Sequence, residues 1–417
     1  MQQLTSPPVA IPSFAEAARF WVRLGFISFG GPAGQIAIMH REVVEQRRWL
    51  EERQFGHALN FCMLLPGPEA LQLAIYLGWK LHGVRGGLVA GLAFIVPAIV
   101  LLLGLSWVYA RFGAVPAVAG ILLGLQAAVV ALVLQALLKI GRRALGSRLH
   151  LLLAMASFVA LEFAGMPFPW VLLIAAAAGL AQTWRSRPLA PAPPQARGRQ
   201  GVWTLAWGFG LWVIPLLGVA VTLGIESIWG RLYLFFTRAA LVTFGGAYAV
   251  LGYVTQHFVH ELGWLTAEQS VAGLALAETT PGPLVIVLQF MGFMTGWNQP
   301  TPLSPGIAAV LAALLTAWAT FLPSFVFIFL GAPHVEQLTH EPRISGALAA
   351  ITAAVVGIIA TLALLLARVV LFPAGFAAGP HWPSVVIAVA AGVLLARSRV
   401  GLPWVLAAAA AAGLLLE

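Results

Sequence analysis

Apolar residues run along this chain in long stretches, separated by short charged or proline- and glycine-rich connectors. A membrane-crossing helix needs about 20 predominantly apolar residues. Thirteen such runs can be read, the first six near 14–39, 57–80, 86–110, 115–140, 149–163 and 168–184. Seven follow, near 202–224, 229–256, 271–296, 305–332, 345–370, 383–396 and 401–416. Between the two groups lies "WRSRPLAPAPPQARGRQG", whose composition predicts a solvated, semi-extended linker. The expected fold class is an all-α polytopic membrane protein. The short pairs over 149–184 and 383–416 are expected as helical hairpins that need not span fully.

The pattern repeats. Phe29-Gly30-Gly31 recurs as Phe244-Gly245-Gly246, at an offset of 215 in the numbering. Without a gap, that offset superposes Arg23 on Arg238, Trp49-Leu50 on Trp264-Leu265, Gln54 on Gln269 and Pro66-Gly67-Pro68 on Pro281-Gly282-Pro283. Over Arg23–Pro68, 12 of 46 positions are identical, which points to a duplication. Further on, Ala127–Val130 matches Ala353–Val356 and Arg142 matches Arg368 at an offset of 226; Pro169–Leu172 matches Pro403–Leu406 at 234. The expected division is a repeat over 1–184, a linker with a connecting segment over 185–227, and a second repeat over 228–417.

One connecting segment between two halves of six would turn the second half upside down, the inverted-repeat plan of many secondary transporters. Charge gives no independent support. If every segment spans, the Arg-rich connectors 41–53 and 185–199 lie on opposite sides. Re-entrant Pro-Gly-Pro segments would put both on one side and make the halves parallel. The inverted plan is preferred here.

Composition agrees with a membrane protein: 60% hydrophobic and 9% charged residues, with a mean hydropathy of +0.92. A soluble domain carries roughly 25% charged residues. The net charge of +9 resides in short connectors, with no basic stripe interleaved with aromatics, so no nucleic-acid partner is expected. One cysteine, Cys62, excludes an internal disulfide framework and any cysteine-based metal site. The N-terminus lacks a basic stretch before its first apolar run, so that run is expected to stay as a membrane helix. Met39–Phe55, with four Arg and four Glu interleaved, reads as a solvated amphipathic connector helix.

Enzyme motifs are absent, and neither a metal nor a cofactor is expected. The candidate chemistry lies in helix breaks and intramembrane charges. Proline removes an N–H and frees a carbonyl one turn earlier, and in lipid such groups persist only where protein or a water-filled cavity satisfies them. Pro66-Gly67-Pro68 and Pro281-Gly282-Pro283 should therefore split their segments into half-helices. The second half-helix of each would present free N–H groups and a positive dipole end to an anion. The competing reading is a kink without a ligand. The loops at Phe29-Gly30-Gly31 and Phe244-Gly245-Gly246 either admit a ligand or serve tight helix packing, as Gly83, Gly87 and Gly91 are read to do. Arg23 and Arg238 suit a tetrahedral oxyanion through their planar forks. A buried Arg costs about 2.5–3.5 kcal/mol on insertion scales, so it normally faces a partner or a pathway. Arg23 could instead snorkel, or join Glu16 and Arg19 on one helix face that opens with a Ser13-x-x-Glu16 cap. Glu69 and Glu278 flank the two Pro-Gly-Pro elements and are candidate proton carriers; otherwise they serve as a first-turn acid and a packed acid.

"FGGPAGQIAIMHREVVEQRRWLEERQF" with "LLPGPEALQLAIYLGWKLHGVRGG" resembles the first half of the long-chain chromate transporters, and "FGGAYAVLGYVTQHFVHELGWLTAEQ" with "LAETTPGPLVIVLQFMGF" resembles the second. The resemblance covers nearly the whole chain. It implies a multi-pass carrier of the bacterial inner membrane that exports chromate, driven by the membrane potential or the proton gradient. It also implies homologous halves of opposite orientation. Sulfate shares chromate's shape and charge, so a sulfate or other oxyanion carrier stays open. An anion channel or a membrane-embedded oxyanion reductase is disfavoured, by the apolar segments and by the lack of cofactor ligands. The expected partners are the oxyanion and the lipid bilayer, with a homodimer left open.

Overall fold

The computed structural model describes residues 12–184, 199–244, 246–334, 342–397 and 400–416. Gly245 and positions 185–198 of the expected linker lie outside the described residues. Every regular element among the described residues is helical. The first half holds α1 (Phe14–Ile27), α2 (Gly31–His40), α3 (Glu52–Leu64), α4 (Glu69–Phe112), α5 (Pro116–Ala144), α6 (Arg148–Glu162) and α7 (Phe168–Thr183). A connecting helix, α8 (Arg199–Thr222), precedes α9 (Ile228–Leu241), α10 (Ala247–Thr255), α11 (Ala267–Glu278) and α12 (Val287–Asn298). The chain closes with α13 (Pro305–Gly331), α14 (Pro342–Leu366), α15 (Trp382–Ala396) and α16 (Leu402–Leu416). Five helices are long and apolar enough to cross a membrane: Glu69–Phe112, Pro116–Ala144, Gly201–Thr222, Pro305–Gly331 and Arg343–Leu371. The protein is a multi-pass membrane protein.

Several apolar runs are not single helices. The run 14–39 breaks between α1 and α2, 57–80 between α3 and α4, 229–256 between α9 and α10, and 271–296 between α11 and α12. The helix α4 folds back on itself at His82 (φ −139°, ψ 26°) and Gly83 (φ 64°, ψ −155°). Its limbs touch where Gly78 meets the Gly86 carbonyl, an approach that leaves no room for a Cβ. Gly83 is thus a hinge, while Gly87 and Gly91 lie against Phe329 and Phe325 of α13.

Backbone features recur at the first repeat offset. The π-helical turn Arg41–Gln46 corresponds to the turn Gln256–Glu261, and left-handed Arg48 (φ 51°) corresponds to Gly263 (φ 62°). Trp49 N–H donates to the Val43 carbonyl and Trp264 N–H to the Phe258 carbonyl, both at 2.8 Å. The stretch 39–55 is therefore not one solvated helix. Met39, Glu42, Val43, Trp49 and Leu50 are buried, and Arg47 pairs with Glu42 and Glu16 while lying over Phe20 and Trp49. Apolar burial wins there, and the one buried acid, Glu42, is met by Arg47.

The halves interlock. Helix α5 packs against α15 and α16 of the second half, and α14 packs against α6 and α7 of the first. Close helix contact needs small residues, and here they are paired. A Cβ at Gly179 would strike the Gly346 carbonyl oxygen, and one at Gly413 would strike that of Gly120. Gly179 maps onto Gly413 at the offset of 234, and Gly120 maps onto Gly346 at the offset of 226, so the two contacts correspond. Helix α8 rides outside on α9 and α13, held by Trp318 Nε1 to the Leu211 carbonyl (2.9 Å) and Tyr233 hydroxyl to the Trp212 carbonyl (2.8 Å).

Candidate functional site

Both Pro-Gly-Pro elements sit between half-helices. Helix α3 stops at Leu64 and α4 starts at Glu69, with Pro68 as its N-cap residue. Helix α11 stops at Glu278; a 3-10 turn, Leu284–Ile286, then leads into α12, with Pro283 at the N-cap of the turn. The middle glycines need left-handed backbone, with φ 125° at Gly67 and 96° at Gly282. Only glycine takes such angles without strain.

Each junction meets the loop of the opposite half. Gly67 N–H donates to the Thr243 carbonyl (2.8 Å), and Gly282 N–H donates to the Ser28 carbonyl (2.9 Å). Ser28 and Thr243 correspond at the offset of 215, as do Gly67 and Gly282. The loops are built alike. Phe29 N–H bonds to the Ile27 carbonyl and Phe244 N–H to the Val242 carbonyl. Ser28 and Thr243 turn their hydroxyls back onto Leu24 and Ala239 one turn earlier. Gly30 (φ 93°) and Gly31 (φ 66°), and on the other side Gly246 (φ 94°), supply the left-handed turns that start α2 and α10. A break that frees peptide groups in lipid is thus satisfied by the other half's break. Four helical segments start at the crossings (α2, α4, α10 and the turn into α12), which puts positive dipole ends there.

Facing residues also correspond. A Cβ on Gly67 would overlap Ser324 Oγ and Gln72 Nε2; a Cβ on Gly282 would overlap the Ala98 methyl. Ala98 maps onto Ser324 at 226, the offset of the later repeat.

Polar side chains around the crossings differ between halves. Gln35, 1% exposed, donates from Nε2 to the Ser28 carbonyl (3.1 Å) and to the Gly282 carbonyl. Gln72 Nε2 donates to the Pro66 carbonyl (2.7 Å). The Oε1 atoms of Gln35 and Gln72 are buried without a hydrogen-bond partner among the described residues. Glu278, 5% exposed, accepts a 2.7 Å hydrogen bond from the Tyr248 hydroxyl of α10. Glu69 is half-buried in the first turn of α4. No three His, Cys, Asp or Glu side chains among the described residues group to hold a metal ion.

The structure thus brings Pro66, Gly67, Pro68, Pro281, Gly282 and Pro283 together with the loops that carry Phe29, Gly30, Gly31, Phe244 and Gly246. Both phenylalanines are half-buried beside their glycines. Arg23 and Arg238 are exposed on α1 and α9, each just N-terminal to the residue (Leu24, Ala239) that accepts the Ser28 or Thr243 hydroxyl, and neither guanidinium forms an ion pair among the described residues. Glu16 pairs with Arg47 and not with the Arg19–Arg23 face. Sequence reasoning missed Gln35, Gln72, Tyr248, Ser324 and the carbonyls of Ser28 and Thr243. For Gln35, Gln72 and Tyr248 the available signal was a lone polar side chain in apolar sequence within a few residues of a glycine break; Ser324, inside α13, carried no such signal.

Comparison with known proteins gives a consistent picture. The family described as Chromate transporter matches residues 15–180 and 230–414. A chromate transport protein of Pseudomonas aeruginosa is 31% identical over 378 residues, covering 87% of this chain and 82% of that protein. One from Cupriavidus metallidurans is 30% identical over 365 residues, covering 85% and 82%. A probable chromate transport protein of Synechococcus elongatus is 29% identical over 360 residues, covering 85% of each. No solved structure matches the chain.

Proposed function

This chain belongs to the chromate transporter family, and we propose that it is a secondary carrier that exports chromate across the bacterial inner membrane. The observation that carries this reading is the reciprocal crossing of Pro-Gly-Pro junctions and Gly-Gly loops contributed by both halves. On this reading the halves are inverted repeats, and the oxyanion sits where the helix starts converge. Backbone N–H groups beside Gly31, Gly246, Glu69 and Leu284 read its charge and shape. Arg23 and Arg238, exposed on α1 and α9, draw the dianion towards the crossings. Phe29 and Phe244 line its approach.

Two driving forces suit this chemistry. Moving a dianion outwards along an inside-negative potential yields about 4.6 kcal/mol per 100 mV, at about 2.3 per elementary charge. Glu278, buried and held by Tyr248, is the proton carrier if transport also uses the proton gradient; Glu69 sits at the positive end of α4 as its electrostatic complement.

Uptake of labelled chromate into everted vesicles, with sulfate as competitor, tests the reading. Saturable chromate uptake is expected; weak displacement by sulfate assigns a chromate-selective carrier, and strong displacement a general oxyanion carrier. Loss of a hydrogen bond from Arg to an anion costs about 1.5–3 kcal/mol. Arg23→Ala and Arg238→Ala are therefore expected to lower uptake by about 10- to 150-fold each. Wild-type uptake equal to empty vesicles would defeat the carrier reading; unchanged uptake in both variants would remove the arginines from it.

A further inference from the structure

We propose that Gln35 is a positioning residue that bolts the crossing of Gly282 on Ser28, so that the path of the carrier proposed above opens at the other crossing, Gly67 on Thr243. The two crossings share a backbone bond, but among the described residues only one carries a side-chain bridge. Gln35 Nε2 spans the carbonyl of Ser28 in its own half and that of Gly282 in the other. Gly282 is thereby held at both polar backbone groups, its N–H by Ser28 and its carbonyl by Gln35. The residue matching Gln35 at the offset of 215 is Val250, which has no donor to offer. At the first crossing the side-chain amide is Gln72, and it bonds to Pro66 within its own half.

Burial differs at one position: Pro281, Gly282 and Pro283 are all buried, as are Gly67 and Pro68, whereas Pro66 is half-buried. Gly282 faces the methyl of Ala98 and, farther off, the Phe94 carbonyl; Gly67 faces the Ser324 hydroxyl and the Gln72 amide. Opening the second crossing breaks two hydrogen bonds between the halves and strands the Gly282 N–H and carbonyl, while Gln35 keeps its bond to Ser28. Opening the first frees one N–H and one carbonyl beside a hydroxyl that can replace a lost partner. An unmet buried polar group opposes opening, and each additional one opposes it more. The nearly duplicated backbone therefore has one weak point, chosen by Gln35 against Val250.

The corresponding positions 98 and 324 report on the two crossings. Cys62 is the one cysteine of the chain, so Cys62→Ala gives a background free of thiols. Ala98→Cys and Ser324→Cys are then introduced singly, and membranes are exposed to a water-soluble thiol reagent. Labelling rate follows the fraction of time each crossing is open. Ser324→Cys is expected to label up to about tenfold faster than Ala98→Cys, the factor that one extra hydrogen bond supplies. Adding Gln35→Val should raise the Ala98→Cys rate to the Ser324→Cys level and leave Ser324→Cys unchanged. The swap of Gln35→Val with Val250→Gln should invert the ranking.

Equal rates at the two positions in the parent, or an Ala98→Cys rate that ignores Gln35→Val, overturn the proposal. A rise at both positions in Gln35→Val, repeated in the closer-sized Gln35→Leu, also overturns it, because Gln35 would then support the whole fold. Labelling needs no transported anion. A chain that fails to take up chromate but keeps the ranking defeats the carrier reading and spares the bolt.

Discussion

Among the described residues, loop 28–31 with junction 66–68 and loop 243–246 with junction 281–283 share matched left-handed glycines, Gly31 with Gly246 and Gly67 with Gly282, and matched hydrogen bonds across the halves. Their side chains part company. Gln35 stands against Val250, Met63 against Glu278, Ala33 against Tyr248 and Glu69 against Leu284 at the offset of 215. The peptide groups of a broken helix must be satisfied in lipid whatever side chains surround them, and here each half satisfies the other. That requirement holds both backbone copies in place together. Side chains carry no such mutual constraint, so each copy has been free to take a separate role.

The sharpest way to break this comparison is to neutralise the two acids. Glu278 is buried and held by Tyr248, whereas Glu69 is half-buried at a helix start. Glu278→Gln is expected to abolish uptake driven by an imposed pH gradient. Glu69→Gln should keep most of it, since a first-turn acid contributes only about 0.3–1 kcal/mol to its helix. Uptake measured in vesicles at matched expression decides between them. Equal loss in both variants would mean that the two junctions share their chemistry as well as their backbone.

A smaller effect is expected at the two middle glycines, where the backbone matches and the walls do not. Gly282→Ala must hold φ 96° and push its methyl into that of Ala98 and towards the Phe94 carbonyl. Left-handed strain of about 1–3 kcal/mol adds to an overlap of about 1–3. Gly67→Ala meets Gln72 Nε2 and Ser324 Oγ, side-chain ends that can rotate away. Thermal unfolding in detergent should show the larger fall in midpoint for Gly282→Ala. The reverse order would mean that the second crossing is the looser one.

How far these features can be read without a structure depends on what fixes them. The breaks themselves are legible, because Pro66-Gly67-Pro68 and its copy carry their reason in local geometry. So is the duplication, which aligns the π-turns and the pair Arg48 and Gly263 without a gap. The crossing of each junction onto the other half's loop is not legible, because nothing local says which carbonyl Gly67 will meet. Gln35 and Gln72 stayed hidden for a different reason. Neither is charged and neither has a counterpart in the other half, so neither a search for intramembrane charge nor one for repeated residues finds it. Tyr248 and Glu278 lie on separate helices and become a pair only when the start of α10 meets the end of α11. Arg23 and Arg238 show the opposite limit: their repetition is plain, yet the fold leaves both exposed on their helices.

The smallest expected effect lies away from the crossings, where the halves match in side chains as well as in backbone. Gly179 meets the Gly346 carbonyl and Gly413 meets that of Gly120, each joining the last helix of one half to the long helix of the other. Neither glycine has a left-handed φ, so an alanine there is unstrained and only the approach of two helices is disturbed. Separating them sufficiently for one methyl costs about 1–3 kcal/mol. Because the two contacts correspond, Gly179→Ala and Gly413→Ala should lower the unfolding midpoint in detergent by similar amounts, with chromate uptake retained at the temperatures where both stay folded. A large difference between them would show that the reciprocity of the halves is confined to the central breaks. Equal shifts would mean that it extends to the periphery, and that the asymmetry at Gln35, Tyr248 and Glu278 is a local departure from an otherwise matched frame.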